Sequence, residues 1–273
     1  MYTIILFGKD GMIGNYIYKY FSKQLDKYDV YGFNRKDLDV RNITYEQLSI
    51  FLDKYIKKES INVVINAVGL ILPVKNTNVI DNITINSIFP NLLSIYCKFN
   101  NIHFIHFSTI CVFDGQKGNY IETDEPTGKD IYGISKALGD PKFGTVIRTS
   151  FIGEELKHKY SLVEWVKLNK NKTINGYTNH LWNGITCLEL CKIIKEIIEN
   201  NLFWNGIRHI YTNSVTKYEL VKYINEIYNL NINIIPFNTE FSVDRTLKSI
   251  YQLPFKIGDI ISQIRELKEF DIN

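Results

Sequence analysis

A chain of 273 residues can bury a full core without staples, and 45% hydrophobic and 14% aromatic residues with 6 prolines exclude a largely disordered protein. A net charge of +3, from 32 basic and 29 acidic residues, is too mild and too scattered for a nucleic-acid surface. Four cysteines (Cys97, Cys111, Cys187, Cys191) without a CxxC pair argue against a metal site or a disulfide framework and point to a reducing compartment.

The chain opens on an apolar run at residues 3–7 and turns at once into Gly8-Lys9-Asp10-Gly11-Met12-Ile13-Gly14. No basic leader or cleavage site is visible, and no later run reaches the roughly 18 apolar residues of a membrane span, so a cytoplasmic chain with no membrane partner is expected. Further short apolar runs at 30–33, 61–68, 102–107, 145–149 and 208–212 read as strands buried on both faces. Between them, Leu48, Phe51, Leu52 and Tyr55 mark a helix over 44–58. Ile85, Ile88, Leu92, Leu93 and Tyr96 mark another over 81–99, which Pro90 should kink. Strands alternating with helices require right-handed crossovers and parallel pairing, so the expected fold class is α/β with a doubly wound parallel Rossmann sheet. Beyond Arg148 the alternation becomes irregular, with helical stretches at 161–168, 188–199 and 217–228 around a glycine-bounded segment at 176–184. The predicted division is a Rossmann domain of 1–153 plus about 184–213, and a smaller C-terminal lobe of 154–183 and 214–273.

A glycine-rich turn between an apolar strand and a helix lets backbone N–H groups approach a pyrophosphate, whose charge the helix N-terminus favours. Gly8, Asp10, Gly11, Met12, Ile13 and Gly14 occupy that place. Three glycines at this spacing also make an ordinary tight turn, but their position directly after the leading strand favours dinucleotide binding. At the end of the second strand, the acid that would accept the ribose hydroxyls of NAD is missing, and Asn34 and Arg35 stand there instead. Arg35 suits the 2′-phosphate of NADPH, although a solvated loop arginine would read the same way. Asp39 and Val40 are candidate adenine contacts, and Asn66, Ala67 and Val68 close the third strand beside the cofactor. Loop capping explains either group equally well.

The run Tyr132-Gly133-Ile134-Ser135-Lys136 carries the chemistry. Residues four apart share a helix face, so the Tyr132 hydroxyl and the Lys136 ammonium can point into one site, where the ammonium should lower the pKa of the phenol. Such a tyrosine gives and takes protons near neutral pH, and with a nicotinamide the pair performs carbonyl chemistry.

These residues resemble the extended short-chain dehydrogenase/reductase superfamily and, within it, the dTDP-4-dehydrorhamnose reductase group. The similarity lies in the glycine turn, in Ser108-Thr109-Ile110-Cys111-Val112-Phe113-Asp114-Gly115, in Tyr132 to Lys136, in Arg148-Thr149-Ser150 and in Gly206-Ile207-Arg208-His209-Ile210-Tyr211. It therefore spans nearly the whole chain. Pro141 and Gly144 depart from the pattern by cutting short the helix that carries Tyr132. The resemblance implies reduction of the C4 ketone of a nucleotide-linked 4-keto-6-deoxyhexose, a substrate-binding C-terminal lobe and a homodimer. Thr109 would hydrogen-bond the carbonyl, Tyr132 would protonate the developing alkoxide, and Lys136 would tune the tyrosine while holding the nicotinamide ribose.

On a strand, Cys111 should share the face of Thr109 and look into the same cavity. The reductase-only group usually carries an aromatic here, whereas GDP-fucose synthase and plant-type UDP-rhamnose synthases, which also epimerise, are similar to this chain in having a cysteine. A thiol could move the C3 and C5 protons that a C4 ketone acidifies, and donors that stabilise an alkoxide also stabilise an enolate. A small buried hydrophobe is the competing reading of Cys111. The expected activity is 3,5-epimerisation with 4-reduction to a nucleotide-L-rhamnose, UDP favoured over dTDP. The alternatives are a reductase only, a reductase of a UDP-2-acetamido-2,6-dideoxy-4-ketohexose, and an NADP-binding regulatory protein. The second proton donor is sought among His158, Lys159 and His180, and substrate contacts among Trp182, Asn183, Thr186 and Arg245. Asp244 and Arg245 either hold the diphosphate or form a surface salt bridge, and His103, His106 and His209 are expected to be structural.

Overall fold

A computed structural model of the chain describes residues 1–71, 78–157 and 159–272. Its first half runs β1 (Tyr2–Phe7), α1 (Met12–Ser22), β2 (Tyr28–Phe33), α2 (Tyr45–Asp53), β3 (Ile61–Asn66), α3 (Val79–Ile83), α4 (Phe89–Phe99), β4 (His103–Thr109), α5 (Ile131–Leu138) and β5 (Thr145–Thr149). It continues with β6 (Phe151–Ile152), α6 (Leu162–Leu168), β7 (Thr173–Tyr177), β8 (His180–Trp182), β9 (Ile185–Thr186), α7 (Cys187–Glu199) and β10 (Gly206–His209). The last part holds β11 (Val215–Thr216), α8 (Lys217–Tyr228), β12 (Asn233–Phe237), β13 (Val243–Asp244) and α9 (Ile260–Glu269).

Among the described residues, six strands form one parallel sheet in the order β10-β5-β4-β3-β1-β2. Successive side chains of a strand point to opposite faces, and here both faces are core. Ile4, Leu6, Val63 and Ile65 enter one core with Tyr16, Ile17 and Phe21 of α1 and Ile194 and Ile197 of α7. Ile5, Phe7 and Val64 enter the other with Leu48 and Leu52 of α2 and Phe89, Leu93 and Tyr96 of α4. Such strands need continuous apolar sequence, which is why the runs were legible. The expected doubly wound Rossmann sheet is the fold. The chain leaves β1 for the β2 edge and returns past β1 to β3, so strand order reverses between β1 and β3. That reversal opens a crevice at the C-terminal strand ends, the usual ligand position in such sheets.

Two helices differ from expectation. The segment 44–58 is helical only to Asp53, opening on a capping box between Thr44 and Gln47. The segment 81–99 is α3, a π-helical turn (Thr84–Ile88) and α4, with Pro90 as the second residue of α4. Proline has no N–H and crowds the carbonyl four residues earlier; the ladder accommodates it by widening ahead of it.

After β5, β7 pairs in parallel with β12, and β8 takes β11 on one side and β13 on the other. The chain returns to the main sheet through α7, which packs on α1, and β10, which pairs with β5. Helix α9 touches α7, α8 and β9. No helix among the described residues is long and apolar enough to cross a membrane.

Candidate active site

The glycine turn lies at the crevice. Gly8 has φ +88, and a Cβ there would sit 2.8 Å from the Ala67 carbonyl carbon. A Cβ on Gly14 would sit 2.0 Å from Gly8 O, so a side chain at either position would drive the turn apart. Helix α1 starts on Gly11 with no side-chain cap and no acidic residue in its first turn, which leaves its N-terminus to an anion. A cavity of about 240 Å³ opens beside it, walled in part by Gly8, Asp10, Gly11, Asn34, Arg35, Asp39, Val40, Ala67 and Val68. Met12 and Ile13 pack inward against the core, and Asn66 is buried behind the wall. The exposed Arg35 pairs with Asp39 at 3.3 Å. Arg41, which the sequence reading overlooked, lines the same cavity and, by hydrogen-bonding Asp39, holds that carboxyl well below the usual carboxylate range. Asp10 accepts from Lys157 at 2.8 Å and from Asn34 at 3.1 Å. The turn and the uncapped helix fit a pyrophosphate, and Arg35 and Arg41, which share Asp39, are the cavity's cations for a 2′-phosphate.

Thr109 ends β4 and caps a 3₁₀ turn (Ile110–Val112) by accepting the Cys111 N–H at 3.2 Å. The strand has therefore ended before Cys111, and the turn rather than the period-two face carries the thiol. Helix α5 docks flush on this turn, because a Cβ on Gly133 would lie 2.4 Å from Cys111 O. Asp130 caps α5 by accepting from Gly133 N at 2.7 Å. On its other side, α5 meets the π-helical turn: Ser87 Oγ donates to Ser135 O at 2.6 Å and Asn86 Nδ2 to Ser135 Oγ at 3.1 Å. Gly133 and Ser135 thus fix the depth and rotation of the helix that presents Tyr132 and Lys136.

Tyr132 is half-buried, with its hydroxyl facing the Thr109 side chain. Burial pushes the phenol pKa up, the neighbouring Cys111 adds to this, and the Thr109 side chain opposes it. Lys136 goes elsewhere. Its Nζ donates to Phe107 O at 2.7 Å and lies 3.4 Å from His106 Nε2. The expected lowering of the phenol pKa by Lys136 is therefore not what this structure holds, since a β4 carbonyl takes the amine. Burial draws the pKa of Lys136 itself down to about 8, with Asp140 opposing. Asp140 is bound by Arg148 at 2.7 Å and Ser108 at 2.8 Å, so the Arg148 signature is a buried ion pair behind the site.

The small sheet closes over the turn that follows Cys111. Gly115, with φ +88, accepts the Asp244 N–H at 2.7 Å, and a Cβ on it would meet Arg245 Cγ at 3.0 Å. Arg245 Nη2 lies 3.5 Å from Asp114 O, while its buried Nε has no partner among the described residues. Asp244 instead accepts from Thr246 at 2.6 Å, so the two do not form the expected salt bridge. Val215 pairs with Trp182 across β11 and β8, which sets the Lys217 Nζ 5.2 Å over the Trp182 ring. The Trp182 Nε1 is buried without a partner among the described residues.

Residues 2–242 match the family described as RmlD substrate binding domain. The chain belongs to that family. It is similar in structure to a dTDP-4-dehydrorhamnose reductase of Clostridium acetobutylicum, at 19% identity and TM-score 0.77 over 98% of both chains. A dTDP-4-dehydrorhamnose reductase of Bacillus anthracis, solved in complex with NADP, is 20% identical at TM-score 0.78, over 98% of this chain and 97% of that one. A UDP-rhamnose synthase of Acanthamoeba polyphaga mimivirus is 17% identical at TM-score 0.73, over 97% and 98%. Likeness at these identities speaks for the fold. No sequence match is found among curated proteins.

Within this family fold, the structure sets Thr109 and Cys111 beside Tyr132, and Lys217 beside Cys111, Trp182 and Arg245. His180 is held in the lobe by Thr239 at 2.8 Å and by the Tyr177 ring, and His158 lies outside the described residues. Asn183 is spent on the Leu247 backbone at 2.8 and 2.9 Å, and Thr186 caps α7, so neither serves as the expected substrate contact. Lys217 is the cleft residue that sequence reasoning missed. It makes no hydrogen bond or ion pair among the described residues, and burial draws its pKa down to about 8, with Cys111 opposing and Arg245 adding. The sequence signal was a lysine as the first residue of a helix, where the dipole disfavours a cation.

Proposed function

We propose that this chain is an NADPH-dependent reductase of the C4 ketone of a nucleotide-linked 4-keto-6-deoxyhexose that also epimerises C3 and C5 in the same site. Its product is a nucleotide-L-rhamnose, UDP being favoured over dTDP. The observation that carries the reading is the cluster Thr109, Tyr132 and Cys111, faced by Lys217, beside a crevice shaped for a dinucleotide. Family membership, the NADP held by the Bacillus relative and the UDP-rhamnose synthase among the structural neighbours support it.

The glycine turn and α1 would hold the pyrophosphate, and Arg35 and Arg41 the 2′-phosphate. When bound, NADPH supplies the hydride to the sugar C4. Thr109 and Tyr132 bind the ketone oxygen, and Tyr132 gives it a proton as charge develops. The same two donors stabilise the enolate formed when a proton leaves C3 or C5. Cys111 and Lys217 are the two proton carriers of that exchange, Lys217 because an amine with pKa near 8 both accepts and returns a proton at neutral pH. Trp182 and Arg245 line the sugar and diphosphate path. Exposed Ile80, Ile88 and Ile95, with Ile134 and Leu138 of α5, support a homodimer, and four free cysteines support a cytoplasmic location.

The test is turnover of UDP-4-keto-6-deoxyglucose with NADPH in deuterated water. Cofactor oxidation, a UDP-L-rhamnose product and deuterium at C3 and C5 are expected. Oxidation with only the dTDP or the 2-acetamido analogue would move the substrate. Reduction without deuterium uptake would leave a reductase only, and bound cofactor with no turnover of any ketone would leave a regulatory protein.

A further inference from the structure

Behind Tyr132 runs a chain of buried polar groups that starts on the wall of the cofactor cavity. The Val68 N–H donates to Asn66 Oδ1 at 3.0 Å, which fixes the orientation of the Asn66 amide. Its Nδ2 therefore faces His106 Nδ1, at 3.1 Å, as a donor. Turning the amide over would set its NH₂ against the Val68 N–H and leave that donor orphaned. His106 is 0% exposed, Asn66 1% and Lys136 4%, so no water competes for these atoms. A neutral imidazole whose Nδ1 accepts must carry its proton on Nε2. That Nε2–H points at the Lys136 Nζ, 3.4 Å away. A donor facing an ammonium is a mismatch, whereas a donor facing an amine lone pair is a hydrogen bond.

We propose that His106 is a positioning residue: with its proton locked on Nε2 by Asn66, it faces Lys136 with a donor and favours the neutral amine of that lysine over its ammonium. Each reduction takes a proton from Tyr132 that must be replaced, and Lys136 stands one turn along α5 from it; a lysine that favours the amine can pass protons at neutral pH, whereas an ordinary lysine is too weak an acid. The inference rests on the reductase reading for the use of that proton, but not for the lock itself. The ionisable groups acting on Lys136 are His106 on β4 and Asp140, which follows the C-cap of α5 and is neutralised by Arg148 of β5. The π-helical turn presents the uncharged Asn86 and Ser87 to α5. Burial depresses both partners: His106 stays neutral well below its ordinary pKa, and Lys136 falls to about 8.

The lock is tested on the full chain without substrate. Nitrogen-15 NMR of its 5 histidines, with His106 assigned through His106→Phe, should show His106 as the neutral Nε2–H tautomer from pH 6 to 9. An Nδ1–H tautomer or an imidazolium overturns the proposal. Asn66→Asp replaces the donor with an isosteric acceptor, so it should reverse the tautomer and turn the Nε2 lone pair toward Lys136; it also assigns the His106 signal should His106→Phe fail to fold. The ionisation of Lys136, followed on its own side-chain nitrogen, should then rise by about one pH unit or more. Reduction of the 4-keto sugar at pH 7 should fall about tenfold in kcat with KM little changed. In His106→Phe/Asn66→Asp, only the added charge remains, and less than half of the rise should persist. An equal rise with and without His106 overturns the proposal. An absence of all ketone turnover beside a normal tautomer would instead count against the reductase reading alone.

Discussion

The cofactor side and the substrate side of this cleft are assembled from different kinds of sequence information. On the cofactor side, Gly8, Gly11 and Gly14 lie within one turn, and Ala67 meets them through the register of adjacent strands β1 and β3. Local chain geometry sets the distances there, so a short motif predicts them. On the substrate side, Cys111, Trp182, Lys217 and Arg245 come from four separate segments joined by two-residue strand pairings and one glycine contact. No spacing in the sequence encodes those distances. Tyr132 stands at the junction, on a helix seated between the 3₁₀ turn and the π-helical turn.

The sharpest break in this comparison is at that junction. Tyr132→Phe removes the proton donor common to both halves, and kcat for reduction should fall by about 10² to 10⁴-fold while cofactor affinity, measured by fluorescence titration, stays unchanged. Retained reduction would move the acid elsewhere. A smaller effect should separate the two sides. Lys217→Met should cut deuterium entry at C3 and C5 by about 10²-fold, with a lesser loss in reduction of a ketone supplied already epimerised, because the donors for the C4 oxygen remain in place. Equal losses in both assays would make Lys217 a binding group. The smallest effect belongs to the rim: Arg35→Ala should raise KM for NADPH about fivefold and leave NADH unaffected, since Arg35 is exposed, shares Asp39 with Arg41 and works in screened solvent. An equal change for both cofactors would show that Arg35 does not read the 2′-phosphate.

Legibility followed the same division. Continuous apolar runs gave away the central strands because both sheet faces are buried, and Thr44, Asp130 and Ser161 cap the helices that follow them. The Cys111 reading reached the right neighbourhood by the wrong geometry, since β4 stops at Thr109 and a 3₁₀ turn, not strand alternation, holds the thiol. The expected partnership of Tyr132 with Lys136 rested on helix periodicity, which places two residues on one face but says nothing of what competes for their heads. Phe107 O won the amine. Loop histidines were sought as proton carriers because histidine titrates near neutral pH by default, whereas burial brings a lysine into that range.

Composition and periodicity by themselves determined the Rossmann sheet, the glycine turn and the pairing of Tyr132 and Lys136 on one helix, because each depends on residues a few positions apart. Tertiary structure alone decided which way Lys136 points, that His106 meets it, and that Lys217 stands near both Cys111 and Arg245. Those contacts depend on burial and on long-range packing, which set the charge state and direction of a side chain without leaving a pattern along the chain.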